Sequence, residues 1–203
     1  MKKILIASKN EHKIKEIKAI LEDLNITLLD LNDLNDDEDV IEDQDTFLAN
    51  AYKKAITYAR KHQMLTLSDD SGLCVEALGY KPGVHSKRYS GFGDHENNIK
   101  LLKDVQHEVN KKAFFKAVIV LCHSDGSFVH FDGELHGIII DQSKGCHGFG
   151  YDPIFYLEKQ RKTLAEIPFN EKNKISHRRI ALNKLKEYIH ENINNKRHPW
   201  SKG

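Results

Sequence analysis

Two adjacent carboxylates, Asp69 and Asp70, follow a short apolar run and precede Ser71 and a glycine. Hard divalent cations such as Mg²⁺ take oxygen ligands and are often held by one or two carboxylates together with substrate phosphates. Glu42, in an acidic stretch further upstream, could supply another ligand. These residue types predict a magnesium site. The alternative is a solvent-facing turn in which the two aspartates cap a short helix.

A polar segment, Ser8 to Lys13, separates the first strand pattern from the first helix pattern. Ser8 and Asn10 are short polar side chains, and the backbone amides at a helix N-terminus favour anions. Lys13 would add a mobile cation, so the segment could bind phosphate. The alternative is plain N-capping by Ser8 or Asn10 with Lys13 exposed. The chain has no GxxxxGK[ST] sequence, which excludes a P-loop.

A glycine-rich stretch, residues 145–153, and the Ser176-His177-Arg178-Arg179 run form the third polar cluster. Glycines on both sides of Phe149 allow the backbone to approach a flat ligand, and the aromatic ring offers a stacking face. His177 and Arg178 are hydrogen-bond donors at the start of a predicted helix. The alternative is a glycine-rich turn with Phe149 in the core and Ser176 as an N-cap.

The elements that must position these clusters alternate between strand and helix patterns, which predicts one α/β unit. Each cluster is expected where a strand ends, because ligands gather at the carboxyl ends of strands in open α/β sheets. The predicted strands are Lys3–Ala7, Ile26–Leu31, a run starting at Thr66 and Phe114–Cys122, with a hairpin or meander over Phe128–Ile140 around Gly133 and Gly137. The predicted helices are Lys13–Leu24, Thr46–His62 and Ile175–Ile193.

The composition of the 203 residues, 39% hydrophobic and 30% charged, is that of an ordinary globular protein rather than a disordered or fibrous one. The net charge of +1 argues against attachment to nucleic acid by overall charge, so we expect no stable nucleic-acid partner. Residues 33–45 carry eight acidic side chains and no basic one. That segment could be part of a cation site or simply a solvated surface.

No apolar run approaches the roughly 18 residues of a membrane span, and the chain enters a strand pattern directly after Met1 without a signal-peptide hydrophobic region. We therefore expect a cytoplasmic protein with no membrane partner. Cys74, Cys122 and Cys146 are odd in number and widely spaced, which predicts reduced thiols, two of them in the core.

Taken in order, the polar motifs resemble the inosine triphosphate pyrophosphatase-like family over nearly the whole chain. The match is specific because of the order and spacing of many short motifs. They are Ser8-x-Asn10-x-x-Lys13, Glu42, Thr46-Phe47, Asn50-Ala51, Lys54-Ala55, Ser68-Asp69-Asp70-Ser71-Gly72, Pro82-Gly83-Val84, Arg88-Tyr89-Ser90-Gly91, Gly148-Phe149-Gly150-Tyr151-Asp152-Pro153, Glu171-Lys172 and Ser176-His177-Arg178. Gln44 and Ala49 depart from the family patterns Glu-x-Gly and Glu-Asn-Ala.

The resemblance implies an α/β fold with a mixed, elongated sheet, flanking helices and two lobes around a central cleft. It implies a single domain over residues 1–195, followed by a tail at 196–203, and a homodimer. The implied reaction is Mg²⁺-dependent hydrolysis of ITP, dITP or XTP to the nucleoside monophosphate and pyrophosphate, which removes nonstandard purines from the nucleotide pool.

The resemblance also implies roles for individual residues. Asp70 would be the catalytic proton acceptor, and Glu42, Asp70 and Asp69 the metal site, with Asp69 as an outer ligand. The 6-oxo group of hypoxanthine or xanthine would accept hydrogen bonds that adenine cannot accept. The implied substrate-binding residues are Ser8, Lys9, Asn10, Glu11, His12, Lys13, Lys54, Ser71, Phe149, Gly150, Tyr151, Asp152, Lys172, His177 and Arg178.

Two other functions are compatible with parts of the sequence. A related pyrophosphatase of the septum-inhibition type would act on modified pyrimidine nucleotides, but the Ser-His-Arg and Gly-Phe-Gly-Tyr-Asp-Pro runs weigh against it. A non-catalytic module could bind nucleic acid through the basic segment after residue 157. That second function would leave the Asp69-Asp70 pair unexplained.

Overall fold

The computed structural model describes residues 2–193, which form a mixed α/β fold. The strands are β1 (Lys2–Ile6), β2 (Ile26–Asp30), β3 (Leu65–Val75), β4 (Lys112–Cys122), β5 (Phe128–Ile139), β6 (Phe155–Leu157) and β7 (Lys162–Thr163). The α-helices are α1 (Glu11–Leu21), α2 (Phe47–His62), α3 (Asp94–Asp104), α4 (Phe169–Ile175) and α5 (His177–Ile193). Short 3₁₀ turns span Glu76–Leu78, Gly83–Arg88 and Leu164–Glu166.

The seven strands form one mixed sheet in the order β2-β1-β3-β4-β5-β6-β7. β1 runs parallel to β2 and to β3, whereas β3 to β7 pair antiparallel with their neighbours. The β1-α1-β2 and β2-α2-β3 crossovers run in opposite directions along the sheet, so right-handed connections place α1 and α2 on opposite faces. α1 packs with α5 on one face, and α2 packs against β3 and β4 on the other.

Two apolar cores lie on the face of the sheet that carries α1 and α5. One core surrounds Leu67 of β3, and the other includes Leu73 and Val75 of the same strand. The side chains between them on this face of β3, Asp69 and Ser71, are polar, because successive residues of a strand alternate between faces. A polar gap therefore separates two apolar halves, and the expected fold class, a mixed sheet with flanking helices, is confirmed. The expected central cleft stays a prediction.

The structure corrects the expected position of the two aspartates. β3 does not end before Asp69 but continues to Val75, and Asp69 and Asp70 pair with Ile119 and Val118 in the middle of β4. What ends here is β1, whose pairing with β3 stops at Ile6 and Leu67. The polar loop after β1 therefore lies beside the aspartates, although they are not at a strand terminus.

The prediction of a hairpin or meander over residues 128–140 is also wrong, because β5 is one continuous strand paired with β4 along its length. Gly133 and Gly137 are sites of close approach rather than turns. A Cβ at Gly133 would collide with the carbonyl oxygen of His177, and one at Gly137 would meet the Tyr156 carbonyl. Gly133 thus lets the start of α5 lie directly on the sheet.

Two helices, α3 and α4, were not predicted from the sequence, since neither carries a long apolar stripe; of α3, only Leu101 is a buried apolar residue. Cys74 and Cys122 are buried and Cys146 is exposed, all as unpaired thiols, in agreement with the expectation. Within residues 2–193, no helix is both long enough and apolar enough to span a bilayer. The predicted tail, residues 196–203, lies outside the described residues.

Candidate active site

Asp69 and Asp70 project from opposite faces of β3 because they are neighbours in one strand. Asp69 faces α1 and α5, where it meets Lys13 and Arg178. Asp70 faces α2, where it meets Asn50. Both carboxylates are buried. The sheet therefore divides two adjacent acids between two different environments.

The Asp69 carboxylate is fully paired. Lys13 Nζ lies 2.5 Å from Asp69 Oδ2, and Arg178 Nε lies 3.4 Å from both carboxylate oxygens. Burial by itself would raise the pKa of Asp69, but the charges of Arg178 and Lys13 outweigh it and hold that pKa well below its usual range. Both oxygens of Asp69 therefore already have cationic partners. The metal-ligand role expected for Asp69 stays a prediction.

Arg178 links three elements of the fold from a position that is only 3% exposed. Its guanidinium contacts Asp69 on β3, the Ser71 hydroxyl at 3.0 Å and the Glu16 carboxylate on α1. Burial disfavours its charge, yet Asp69 and Glu16 raise the pKa of Arg178. The predicted contact with the purine stays a prediction, and the observed contacts make Arg178 the centre of an ion-pair network.

Sequence reasoning missed Glu16, a buried acid in the apolar stripe of α1. Glu16 pairs with Arg178, and its other oxygen accepts a hydrogen bond from Ser176 Oγ at 2.7 Å. The only available sign was a carboxylate three residues after Lys13, on a helix face that also carries Ile17 and Ile20. Ser176 in turn accepts from the Arg179 amide, so the capping alternative is confirmed for Ser176.

Asp70 has hydrogen-bond donors but no cationic partner. Its Oδ1 accepts from the Ser71 amide at 2.9 Å and its Oδ2 from Asn50 Nδ2 at 3.0 Å. No side chain in the described part of the chain forms an ion pair with it. Burial raises the pKa of Asp70 to about 6; the Lys13 charge opposes that rise and the Glu42 charge adds to it.

Glu42 belongs to an irregular acidic segment, residues 36–46, that runs beside α2. Its carboxylate pairs with Lys54, whose ammonium also donates to the Asp69 carbonyl oxygen at 2.8 Å. Arg88 donates to the Glu42 carbonyl oxygen at 2.8 Å. Lys54 therefore holds Glu42 close to the centre of β3, near the carboxylate of Asp70.

The residues present fit a divalent cation that takes part of its coordination from the substrate. No group of three or more His, Cys, Asp or Glu side chains that could hold a metal ion by itself occurs within residues 2–193. The Glu42 carboxylate lies close enough to Asp70 for its charge to help raise the pKa of Asp70. Mg²⁺ is typically held by one or two carboxylates, waters and substrate phosphates rather than by an all-protein cage.

The segment from Ser8 to Lys13 caps α1 and lies beside Asp69. Asn10 Oδ1 accepts from the amides of His12 and Lys13 at 3.0 and 3.2 Å, so the capping alternative is confirmed for Asn10. Lys9 donates to the Asp37 carbonyl oxygen. Lys13 is not exposed, as simple capping would have it, but pairs with Asp69. Glu11 is exposed in the first turn.

The aromatic ring of Phe149 is 39% exposed and therefore does not belong to the core. It stacks on the His12 ring with centroids 5.4 Å apart, and Lys172 Nζ lies 4.8 Å from its centroid. Lys172 forms a buried ion pair with Asp152, whose Oδ2 also accepts from the Phe149 amide at 2.9 Å. These contacts bring the glycine-rich stretch, α4 and the start of α1 together.

The rest of the glycine-rich stretch is anchored from both sides. Tyr151 is buried in the core and its hydroxyl donates to the Ser86 carbonyl oxygen at 2.9 Å. The Gly150 amide donates to Asp94 and its carbonyl accepts from Asn98, both on α3. The substrate contacts expected of Tyr151 and Gly150 stay predictions. The unpredicted helix α3 supports the loop that carries Phe149.

The His177 ring stacks on Phe115 with ring centroids 5.1 Å apart. Burial lowers the pKa of His177 well below its usual value, and the neighbouring Arg178 charge adds to that effect. Its imidazole is therefore neutral near pH 7, and its Nδ1 has no hydrogen-bond partner among the described residues. One ring nitrogen of a neutral imidazole donates and the other accepts.

Known proteins resemble this chain in both sequence and fold. The family model of the Ham1 family matches residues 4–188. The chain belongs to the Ham1 family. A relative from Geobacter sulfurreducens named dITP/XTP pyrophosphatase is 45% identical over 193 residues, which cover 93% of this chain and 97% of that protein. A Clostridium perfringens protein of the same name is 43% identical, with 93% and 98% coverage.

Solved structures of Ham1 proteins have the same fold. The Staphylococcus aureus Ham1 protein superposes with a TM-score of 0.87 at 38% identity, covering 94% of this chain and all of that one. A HAM1 protein from Coxiella burnetii gives a TM-score of 0.89 at 36% identity, again covering 94% and 100% of the two chains. The mixed sheet described above is thus the Ham1 fold.

The Glu16–Arg178 pair generates a stability prediction for this Ham1 protein. Glu16→Gln removes the charge that balances a buried guanidinium, and breaking a buried pair in this way costs about 3–5 kcal/mol. Urea unfolding at pH 7.5 should show such a loss. The control is Glu22→Gln, a change at the exposed residue that follows the last turn of the same helix. Its expected effect is within about 0.5 kcal/mol. Equal losses in both variants would contradict the network.

The two aspartates should respond oppositely to neutralisation. The Asp70 pKa of about 6 exceeds its ordinary 3.8, so the folded state binds that proton more tightly and stability falls as pH rises from about 4 through 6. At about 1.4 kcal/mol per pK unit, Asp70→Asn should raise the free energy of unfolding at pH 7.5 by about 3 kcal/mol, with little gain at pH 4.

Asp69→Asn is the matched control for that experiment. Because the pKa of Asp69 is lowered, its ionised form stabilises the fold above pH 4, and this stabilisation disappears as pH falls through the lowered pKa. Asp69→Asn should therefore lower the free energy of unfolding at pH 7.5. Urea unfolding of the metal-free proteins measures both effects, and changes of the same sign at pH 7.5 would contradict the assignment.

Proposed function

We propose that this chain hydrolyses the nonstandard purine nucleoside triphosphates ITP, dITP and XTP to the monophosphate and pyrophosphate. Membership of the Ham1 family and the relatives named dITP/XTP pyrophosphatase support it. The observation that carries it is the buried Asp70 carboxylate, which has no ion-pair partner in the described chain and lies within the influence of Glu42 and of two cations. Those cations are Lys13 and Lys54.

Glu42 and Asp70 would hold the divalent cation, for which we propose Mg²⁺. The ion, when bound, supplies positive charge that neutralises the triphosphate oxygens and favours the loss of a proton from water. Asp69 would contribute indirectly, since its carboxylate fixes the positions of Lys13 and Arg178. This assignment modifies the outer-ligand role that the resemblance implied.

Asp70 would accept the proton of the attacking water. A general base works best when its pKa lies close to the working pH, and burial brings that of Asp70 to about 6. Asn50 and Ser71 donate to its two oxygens and fix the orientation of the carboxylate. Below pH 6 the free enzyme would carry a protonated Asp70, so its kcat/KM would fall.

The triphosphate would lie between the start of α1 and the centre of β3. The segment from Ser8 to Lys13 forms the N-terminus of α1 and carries the Lys13 ammonium, the Ser71 hydroxyl lies on the Asp69 face of β3, and Lys54 reaches the Asp69 carbonyl oxygen from α2. Such N-terminal amides and lysines bind phosphate oxygens readily. Binding would place the α-phosphorus near Asp70, where water attack releases pyrophosphate.

The base would stack on Phe149, which is the exposed aromatic residue of the glycine-rich stretch. Lys172, kept close by Asp152, and His177 would donate to the 6-oxo group of hypoxanthine or xanthine. Adenine presents an amino group at that position, which would leave these buried donors unpaired. Arg178 retains N–H groups beyond its three observed partners, and we propose that it supports this contact.

We further infer a homodimer that works in the cytoplasm, on the basis of the family resemblance alone.

A substrate panel tests the proposed reaction. ITP, dITP, XTP, GTP, ATP, dUTP and dTTP are incubated with the protein and Mg²⁺, and the products are separated. Fast release of pyrophosphate and monophosphate from ITP, dITP and XTP is expected, with ATP and the pyrimidines slow. Asp70→Asn should lower kcat by at least about 100-fold, since it removes the base and keeps the shape.

Release of orthophosphate with a nucleoside diphosphate, or a preference for dUTP or dTTP, would contradict the proposed reaction. An Asp70→Asn variant that keeps most of its activity at saturating Mg²⁺ would contradict the role of the base. Glu42→Gln is the matched comparison, because it should mainly raise the Mg²⁺ concentration needed for half-maximal rate.

A further inference from the structure

Asn50 lies near the start of α2 and is only 1% exposed, and its bond to Asp70 is one of three that its side chain makes. Its Nδ2 donates to Asp70 Oδ2 at 3.0 Å and to the Gln44 carbonyl oxygen at 3.3 Å. Its Oδ1 accepts from the Gln44 amide at 2.9 Å. One carboxamide thus bonds both backbone groups of Gln44 and the carboxylate of Asp70.

These partners fix the orientation of the Asn50 carboxamide. The Gln44 N–H requires an acceptor, whereas the Asp70 carboxylate and the Gln44 carbonyl require donors. Only a side chain with two N–H groups and one oxygen can meet all three requirements at once. Asp at this position would lose both donors and add a charge beside Asp70, and an aliphatic side chain would remove the partner of all three groups, one of them the buried Asp70 carboxylate.

We propose that Asn50 is a positioning residue that fixes the Glu42 carboxylate relative to the Asp70 carboxylate and so preforms the metal site. Gln44 lies two residues after Glu42 in the irregular acidic segment, so the Asn50 clamp holds that segment against β3. The inference rests on the proposed function, because it takes Glu42 and Asp70 as the metal ligands.

Lys54 also holds Glu42 in place, but through the carboxylate that would bind the metal. Its ammonium pairs with the Glu42 carboxylate itself, so a divalent cation competes with Lys54 for that group. The Asn50 amide is neutral and donates to one oxygen of Asp70, which leaves other lone pairs free for a cation. The Asn50 contacts can therefore persist when metal is bound.

Arg88 also holds Glu42, by donating to its carbonyl oxygen at 2.8 Å, and other anchors of the acidic segment lie on α2. Tyr58 donates to the Glu38 carbonyl oxygen at 2.6 Å, and Lys61 pairs with Asp36 at 2.8 Å. Lys53 pairs with Asp43 through an exposed contact of 2.7 Å. None of these three contacts involves β3. Within the described residues, Asn50 is the side chain that bonds both the acidic segment and the Asp70 carboxylate.

The test uses Mn²⁺ alone as the probe, measured by electron paramagnetic resonance of the full chain without nucleotide. Asn50→Leu keeps the volume and removes every hydrogen bond. Its Mn²⁺ affinity should fall about 10–100-fold, the usual effect of removing a group that orients a metal ligand. With dITP at saturating Mg²⁺, kcat should fall while KM stays within about threefold, since Asn50 lies outside the phosphate and base segments.

Leu185→Ala is the control for a general loss of stability, because Leu185 is fully buried on α5 in the core opposite α2. It should lower Tm without changing Mn²⁺ affinity. If Asn50→Leu does not fold, Asn50→Ser serves instead, since one hydroxyl cannot bridge Gln44 and Asp70, and the same loss of affinity is expected.

Wild-type Mn²⁺ affinity in the Asn50 variant, together with lost affinity in Asp70→Asn, would overturn the role of Asn50 and leave the proposed function intact. Unchanged Mn²⁺ binding in Asp70→Asn would instead overturn both the metal assignment and the inference that rests on it. A fall in Mn²⁺ affinity in the Asn50 and Asp70 variants, but not in Leu185→Ala, is the result that supports the inference.

Discussion

The alternation of side chains along β3 is the constraint on which the rest of the site depends. Two consecutive residues of a strand cannot share a face, so Asp69 and Asp70 necessarily enter different environments. α1 and α5 bring cations to Asp69, and α2 brings an uncharged amide to Asp70. One acid is held ionised and the other is left available for a cation and a proton.

The aspartates lie in the middle of β3, at a break in the packing of the sheet. They lie where β1 has ended and where one apolar core gives way to the other. A buried charge is tolerated there because Lys13, Arg178 and Glu16 balance Asp69 in a network that spans α1, β3 and α5. The gap between the two apolar cores is thus where the sheet accommodates the buried charge of Asp69.

Much of this could be predicted from the sequence, because the chemistry depends on local motifs. The Asp69-Asp70 pair, the capping segment around Asn10 and the glycine-rich stretch around Phe149 were all identified as polar clusters between apolar elements. The expectation that β3 ends before Asp69 was wrong, since two acids in mid-strand contradict ordinary strand propensity and need partners from distant helices. The alternation rule applies only once the strand is known to continue.

Other features depend on contacts between segments far apart in the chain, which the sequence pattern does not contain. Glu16 and Arg178 are 162 positions apart, and nothing near either residue indicates the other. Gly133 resembled a turn residue because the pattern cannot distinguish a bend from a close approach by a helix. The support that α3 gives to Gly150 was hidden for the same reason, since α3 has few buried apolar residues.

The most direct test of the central claim is a carbon-13 NMR titration of the aspartate carboxyl groups in the metal-free protein, with Asp69→Asn and Asp70→Asn used to assign the two signals. We expect Asp70 to titrate with a midpoint near pH 6, while Asp69 stays ionised to below its ordinary pKa of 3.8. Titration of both groups together near pH 4, or of Asp69 above Asp70, would contradict the division of roles across β3.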